Sequence, residues 1–127
     1  ALTGAQINRR LARHGRKIGP DPASINTAMI GGIAANNASG MCCGIDQNSY
    51  RTLHAMRVVL ADGSTLDTGE ATSRNVFRQS HAAFLDALEE MGRETRADAA
   101  LSERIAKKYS VKNTMGYSLN ALIDYED

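Results

Sequence analysis

The residues best suited to meeting a ligand lie between Gly19 and Gly40. Gly19-Pro20-Asp21-Pro22-Ala23-Ser24 comes first, and Gly31-Gly32-Ile33-Ala34-Ala35-Asn36-Asn37-Ala38-Ser39-Gly40 follows after Ile30. Glycine is the residue of choice where a ligand must touch main chain. Pro20 and Pro22 fix their own φ and push Gly19 and Asp21 towards extended backbone. The stretch reads as a stiff extended strip leading into a tight small-residue turn and a short helix. Its N–H groups would suit an anion. The same small residues would also serve two elements packing closely, and residue types alone leave these two readings level. Gly31-Gly32 is not the dinucleotide fingerprint, because no third glycine follows at the required spacing and no clean apolar strand precedes it.

Other chemistry-bearing side chains offer less. Cys42 and Cys43 are adjacent; neighbours bridge only with strain, and no CxxC spacing offers a metal site. They read as reduced, partly buried thiols. His14, His54 and His81 are scattered without a partner at ligand spacing, so none is assigned a catalytic or metal role. Arg9, Arg10, Arg13, Arg16 and Lys17 form a local basic cluster, read as the solvated face of a helix in preference to a phosphate-binding patch. With 15 basic and 14 acidic residues the net charge is +1, which is no footprint for nucleic acid.

The elements that must position the strip are mixed. A chain of 127 residues suffices for one domain with its own core. Trp is absent, so that core rests on aliphatic residues. Thr3 to Gly15 reads as a helix, with Thr3 and Gln6 as a capping box and Gly15 as its stop. Residues 41–51 lack periodicity and read as loop. Leu53 to Ala61 and Ser64 to Thr68 read as strands joined at Asp62-Gly63, a strong hairpin signal. Gly69 to Val76 reads as a connecting loop. Helical spacing then takes over from Phe77, with Phe84, Leu85, Leu88 and Met91 on one face and Gly92 closing the turn. A second helix spans about Ala97 to Tyr109, with Leu101, Ile105 and Tyr109 in one stripe. A short helical turn falls near Leu119 to Ile123. The fold class is α+β, a small sheet with a hairpin packed against helices. One hairpin is marginal alone, so further strands are expected to complete its sheet. The uncharged stretch Pro22 to Ile45 is too polar to span a membrane, and residues 1–5 show no signal-peptide pattern.

Four ordered motifs carry a resemblance. Gly19-Pro20-Asp21-Pro22-Ala23-Ser24, Ile30-Gly31-Gly32 with Ala35-Asn36-Asn37-Ala38-Ser39-Gly40, Arg57-Val58-Val59-Leu60-Ala61-Asp62-Gly63, and Lys112-Asn113-Thr114-Met115-Gly116-Tyr117-Ser118-Leu119 resemble FAD-linked oxidases of the vanillyl-alcohol oxidase type. They are most similar to the branch of D-lactate dehydrogenase, glycolate oxidase and D-2-hydroxyglutarate dehydrogenase. The resemblance implies a PCMH-type FAD-binding domain. It implies that Pro22, Ala23, Ser24, Thr27 and Ala28 run beside the FAD diphosphate and ribityl chain. Gly31 and Gly32 would let backbone approach the cofactor, and Asn36, Asn37, Ala38, Ser39 and Gly40 would face the diphosphate and flavin. Met41-Cys42-Cys43-Gly44 departs from the aromatic-Gly of many members; covalent flavin attachment through either cysteine is disfavoured.

The family's earlier Gly-Gly-Gly-Thr loop, its later Gly-Ser-Glu-Gly-Thr-Leu-Gly segment, its substrate domain and the iron–sulfur region of some members have no counterpart among these residues. Residues 1–127 therefore read as part of one FAD-binding domain, its second subdomain, from a larger flavoprotein. The implied activity is that of an FAD-dependent dehydrogenase of a D-2-hydroxy acid such as D-lactate. Catalytic residues would lie in the substrate domain, and the partners would be the remainder of the polypeptide and the small hydroxy acid, not nucleic acid. The chain alone is expected to be inactive, to hold no FAD and to self-associate; losing ~4 kcal/mol of cofactor contacts weakens binding about a thousandfold. The implied location is cytoplasmic, or peripheral to the inner face of the membrane. The rival class is a non-catalytic α+β interaction module.

Overall fold

A computed structural model describes residues 1–40, 42, 44–113 and 117–125. The chain divides into two compact units, Ala1–Leu53 and His54–Asp127.

The first unit begins with α1, Gly4–Ala12. Thr3 and Gln6 exchange the two bonds of the expected capping box. Past Ala12 the N–H of Gly15 meets the Ala12 carbonyl and that of Arg16 meets the Leu11 carbonyl, with Gly15 at φ +64°. That pairing is a Schellman ending, which needs the left-handed residue glycine supplies. The front of α1 is sealed by main chain: Gly4 and Ala5 donate to the carbonyls of Ala28 and Ile25. Gly4 is buried, and a Cβ there would come within 2.9 Å of Ile25 and 3.0 Å of Ile33. Ile18, Ile25 and Ile33 thus form a small aliphatic core under α1.

Residues 23–27 wind through successive turns, so the extended part of the strip is shorter than expected. A single antiparallel bridge joins Thr3 to Met29. The expected short helix is α2, Ile30–Ala35. Residues 49–52, Ser49–Thr52, form a one-turn helix α3 where a loop was expected; Asn48 caps it by accepting from the Arg51 N–H at 2.9 Å.

The second unit opens with β1, Arg57–Val59, and β2, Thr65–Asp67, paired antiparallel with Val58 opposite Leu66. Both strands are shorter than the sequence suggested. The reversal occupies Ala61 to Gly63: Gly63 donates to the Leu60 carbonyl, Leu60 donates to the Ser64 carbonyl, and Gly63 sits at φ +84°. This is a three-residue loop with glycine in the left-handed position. Among the described residues no further strand completes the sheet.

Four helices follow: α4, Ala71–Ser80; α5, Ala82–Ala97; α6, Ala99–Tyr109; and α7, Ala121–Asp124. The stretch Gly69 to Val76, expected as loop, is mostly the front of α4. Asp67 explains its start, because the Ser73 hydroxyl reaches the Asp67 N–H and the Asp67 carboxylate accepts from Gly69. Gly92 does not end α5; it is buried in the helix interior, and the guanidinium of Arg96 folds over it to the carbonyls of Leu122 and Tyr125 at 2.8 Å each. Phe77 and Ile105 are the buried apolar residues of this unit.

Candidate functional site

All twelve sequence-predicted contact residues fall in the first unit, within residues 22–40, and the fold separates them into two kinds. Gly31 and Gly32 sit in the first turn of α2, exposed, and a Cβ on either would meet nothing within 4 Å. Met29 provides no side-chain cap. Ile30 N–H is taken by the Leu2 carbonyl and Ile33 N–H by that of Met29, whereas no described acceptor faces the N–H groups of Gly31 and Gly32. Helix geometry turns Ile30, Ile33 and Ala34 the other way, where they line a cleft of about 440 Å³ with Leu11, Pro20 and Leu53. The glycine pair is thus open main chain, free of the internal packing that would account for it otherwise.

Gly40 is the opposite case. A Cβ there would lie 1.8 Å from Asp21 Oδ1 and 2.3 Å from the Asp21 carbonyl oxygen. The turn ending at Gly40 is pressed onto the Pro20-Asp21-Pro22 strip, and close packing explains this glycine. Gly19 is similarly crowded by the Gln47 carbonyl and Thr52. The two readings of the small-residue run are therefore both present, at different positions. Asp21 Oδ1 is sealed in this contact with no hydrogen-bond partner, an orphaned acceptor at the seam between strip and turn.

Asn36, Asn37 and Ala38 are held by the chain itself. Asn36 returns its N–H and its side-chain amide to the Gly32 carbonyl. Asn37 adopts φ +43°, a left-handed conformation that asparagine tolerates. Its Oδ1 accepts from the Tyr50 N–H at 2.8 Å, capping α3 from outside. Ala38 donates to the Ile33 carbonyl and accepts from the Ser49 N–H. The buried Ser49 hydroxyl lies within hydrogen-bond reach of the carbonyls of Ile33 and Ala38. The Asn-Asn-Ala turn is thus built by α3, a support that sequence reasoning missed although Asn48-Ser49 offered a capping signal.

Pro22, Ala23, Ser24, Thr27 and Ala28 form the turn region before α2. The Ser24 carbonyl accepts from the N–H groups of Thr27 and Ala28 and from the Thr27 hydroxyl. The hydroxyls of Ser24 and Ser39 have no described partner. Main-chain N–H at Gly31 and Gly32 and these short hydroxyls are among the groups left available to an anion. This unit carries six basic and two acidic residues, a positive balance that suits a diphosphate.

A family model described as an FAD binding domain matches residues 1–69, more than half of the chain. The chain belongs to this FAD binding domain family. Membership brings flavin binding and an FAD-dependent oxidoreductase setting with it. No curated protein and no solved structure matches the chain. The residues present are compatible with the cofactor: Gly31 and Gly32 are exposed main chain, and their N–H groups meet no described acceptor. The match covers three of the four motifs; the fourth includes residues 114–116, outside the described residues.

Cys42 is exposed rather than partly buried, and Cys43 lies outside the described residues. No group of three His, Cys, Asp or Glu side chains gathers among the described residues to hold a metal. No helix among them is long and apolar enough to cross a membrane. In the second unit His81, scattered in sequence, becomes the centre of a polar cluster. Its Nε2 lies 3.1 Å from both Asp62 Oδ2 and the Ser64 hydroxyl, its Nδ1 lies 2.8 Å from the Ser80 hydroxyl, and its ring stacks on Phe77 at 4.1 Å. Ser64 and Asp62 share one ring nitrogen, and Ser64 is also 2.6 Å from Asp62 Oδ1. A nucleophile–base–orienter relay needs serine and aspartate on opposite nitrogens; Ser80 stands on the other one, but its hydroxyl is bound back to the Val76 and Phe77 carbonyls of its own helix. The cluster is a clasp between the hairpin tip and the α4–α5 junction.

Proposed function

We propose that this chain is the diphosphate-side part of the FAD-binding domain of a D-2-hydroxy-acid dehydrogenase of D-lactate-like type, completed by the remainder of the same polypeptide. The observation that carries the cofactor assignment is the Gly31-Gly32 pair: open main chain with unpartnered donors beside a Pro-Asp-Pro strip. The substrate assignment rests on the four ordered motifs.

The flavin supplies hydride chemistry, and the protein supplies binding, orientation and electrostatics. Gly31 and Gly32 N–H groups and the Ser24 and Ser39 hydroxyls hold the diphosphate. Asn37, Ala38 and Ser49 keep the turn rigid, so that little ordering is left to be done on binding. Asp21 against Gly40 fixes the spacing of strip and turn. No residue of the chain is assigned to proton abstraction from the hydroxy acid.

The test uses the glycine pair in the intact polypeptide. Gly31→Ala with Gly32→Ala places two methyl groups where the cofactor would lie, and the purified protein is expected to lose most of its flavin absorbance while remaining folded. Undiminished flavin content would show that the cofactor does not approach α2.

A further inference from the structure

A hydroxyl has one proton to give and an ionised carboxylate has none. Applied to the clasp around His81, that count assigns the ring its protons. Ser64 Oγ and Asp62 Oδ1 lie 2.6 Å apart, a separation that needs a proton between them, so the Ser64 hydroxyl donates to the carboxylate. Towards His81 Nε2, at 3.1 Å from each, Ser64 therefore turns a lone pair, and Asp62 Oδ2 turns another. On the far side of the ring Ser80 directs its proton to the carbonyls of its own helix, Val76 at 3.0 Å and Phe77 at 3.3 Å. It offers Nδ1 a lone pair at 2.8 Å. Every described polar group facing the ring is thus an acceptor. A neutral imidazole has one N–H and would leave its other nitrogen lone pair against an acceptor, whereas the imidazolium has two N–H groups and satisfies both sides.

We propose that protonation of His81 closes this clasp, making it a pH-sensitive latch that holds the hairpin tip to the α4–α5 junction in mildly acid solution and loosens as the pH rises past neutrality. The ring is 18 % exposed and stacked on the buried Phe77, so a charge there needs a partner at close range. Asp62 supplies it, and its carboxyl, lowered to about 2, stays ionised throughout the range in which histidine changes charge. The other charged groups of the surrounding elements are directed elsewhere. Arg57 and Asp67 pair across the hairpin, and Arg74 of α4 donates to the Thr68 carbonyl. Arg78 of α4 and Asp86 and Glu89 of α5 line a groove that reaches Ala121 and Leu122 of α7, and Glu70 stands at the opposite end of α4. The ion pair contributes while the ring is charged and is lost with its proton. Ser80 can then keep a bond to Nδ1 only by turning its hydroxyl away from the Val76 carbonyl. The hairpin lies within the matched residues 1–69 and His81 beyond them, so the latch ties the hairpin to helices outside the match. It is independent of the flavin reading.

The experiment is nitrogen-15 NMR of the full chain at about pH 5.5 and about pH 8, on either side of the histidine range. It reads the His81 ring nitrogens and the hydrogen-exchange protection of the Gly63 and Ser64 amides, corrected for the intrinsic effect of pH on exchange. At the lower pH both ring nitrogens are expected to carry protons. At the higher pH one proton should be gone and protection of the two amides should fall by about threefold, the scale of a partly exposed ion pair. Asp62→Asn and His81→Gln should each abolish that fall, whereas His14→Gln combined with His54→Gln should retain it. A ring that is neutral at the lower pH, or still doubly protonated at the higher one, overturns the proposal. Protection that is equal at both pH values in the wild-type chain, or a fall that persists in Asp62→Asn, overturns it as well. Should circular dichroism show either clasp variant unfolded, the wild-type ring nitrogens and amide protection decide by the same two criteria.

Discussion

Glycines of one composition behave differently at Gly31, Gly32 and Gly40, and alanine substitution separates them. At Gly31 and Gly32 a methyl group meets nothing, and alanine in a helix is favoured over glycine by roughly 0.5–1 kcal/mol. In the chain alone each change should raise the melting temperature, the reverse of its effect on flavin content in the intact polypeptide. Gly40→Ala drives a methyl group into the Asp21 backbone and should cost about 1–3 kcal/mol or more; thermal melts of the three variants check both signs. The sequence could not tell these positions apart, because the distinction depends on Asp21 lying 19 residues earlier against Gly40. A second residue-scale expectation concerns Asp62. Hydrogen bonds from the Ser64 hydroxyl and N–H, with a smaller contribution from His81, lower its carboxyl from 3.8 to about 2. A carboxylate held below its unfolded value stabilises the fold above about pH 4, and that contribution is lost as pH falls towards about 2. Acid unfolding followed by circular dichroism should therefore lose part of its steepness in that window in Asp62→Asn.

Elements whose ends carry their own chemistry were legible. The α1 capping box, the Gly15 stop, the Asp62-Gly63 reversal and the span of α6 all follow from local residues. Elements set by tertiary partners were not. α4 needs Asp67 and Ser73 to start it, and α3 is stabilised by Asn37 from the preceding turn. Gly92 was misread as a stop because its role is to make room for Arg96, 26 residues from Leu122. That arrangement predicts that Arg96→Ala removes the guanidinium's hydrogen bonds to the Leu122 and Tyr125 carbonyls and loosens α7. Amide exchange should accelerate in residues 121–124 while α6 stays protected; unchanged protection of α7 would mean that other contacts hold it. The apolar face read on α5 is only half buried: Phe84, Leu88 and Met91 remain 52 %, 42 % and 50 % exposed. With the two-stranded hairpin this accords with a unit that has apolar surface left to cover.

At the scale of the whole molecule, the two units differ in charge, six basic against two acidic residues in 1–53 and nine against twelve in 54–127. The positive unit contains the first two motifs and all twelve expected contact residues, and family membership makes it part of an FAD binding domain. On the proposed reading its donors are main-chain groups and short hydroxyls rather than fixed cations, so affinity would depend on how well the turn from Asn36 to Gly40 is held. On the proposed reading, the choice of hydroxy acid belongs to residues of the intact polypeptide beyond these. The most direct test of the account is the visible absorption spectrum of that intact protein, recorded before and after anaerobic addition of D-lactate and of D-2-hydroxyglutarate. A flavin band that bleaches with one of the two acids is the expected result. Absence of a flavin band, even after FAD is added, would contradict it.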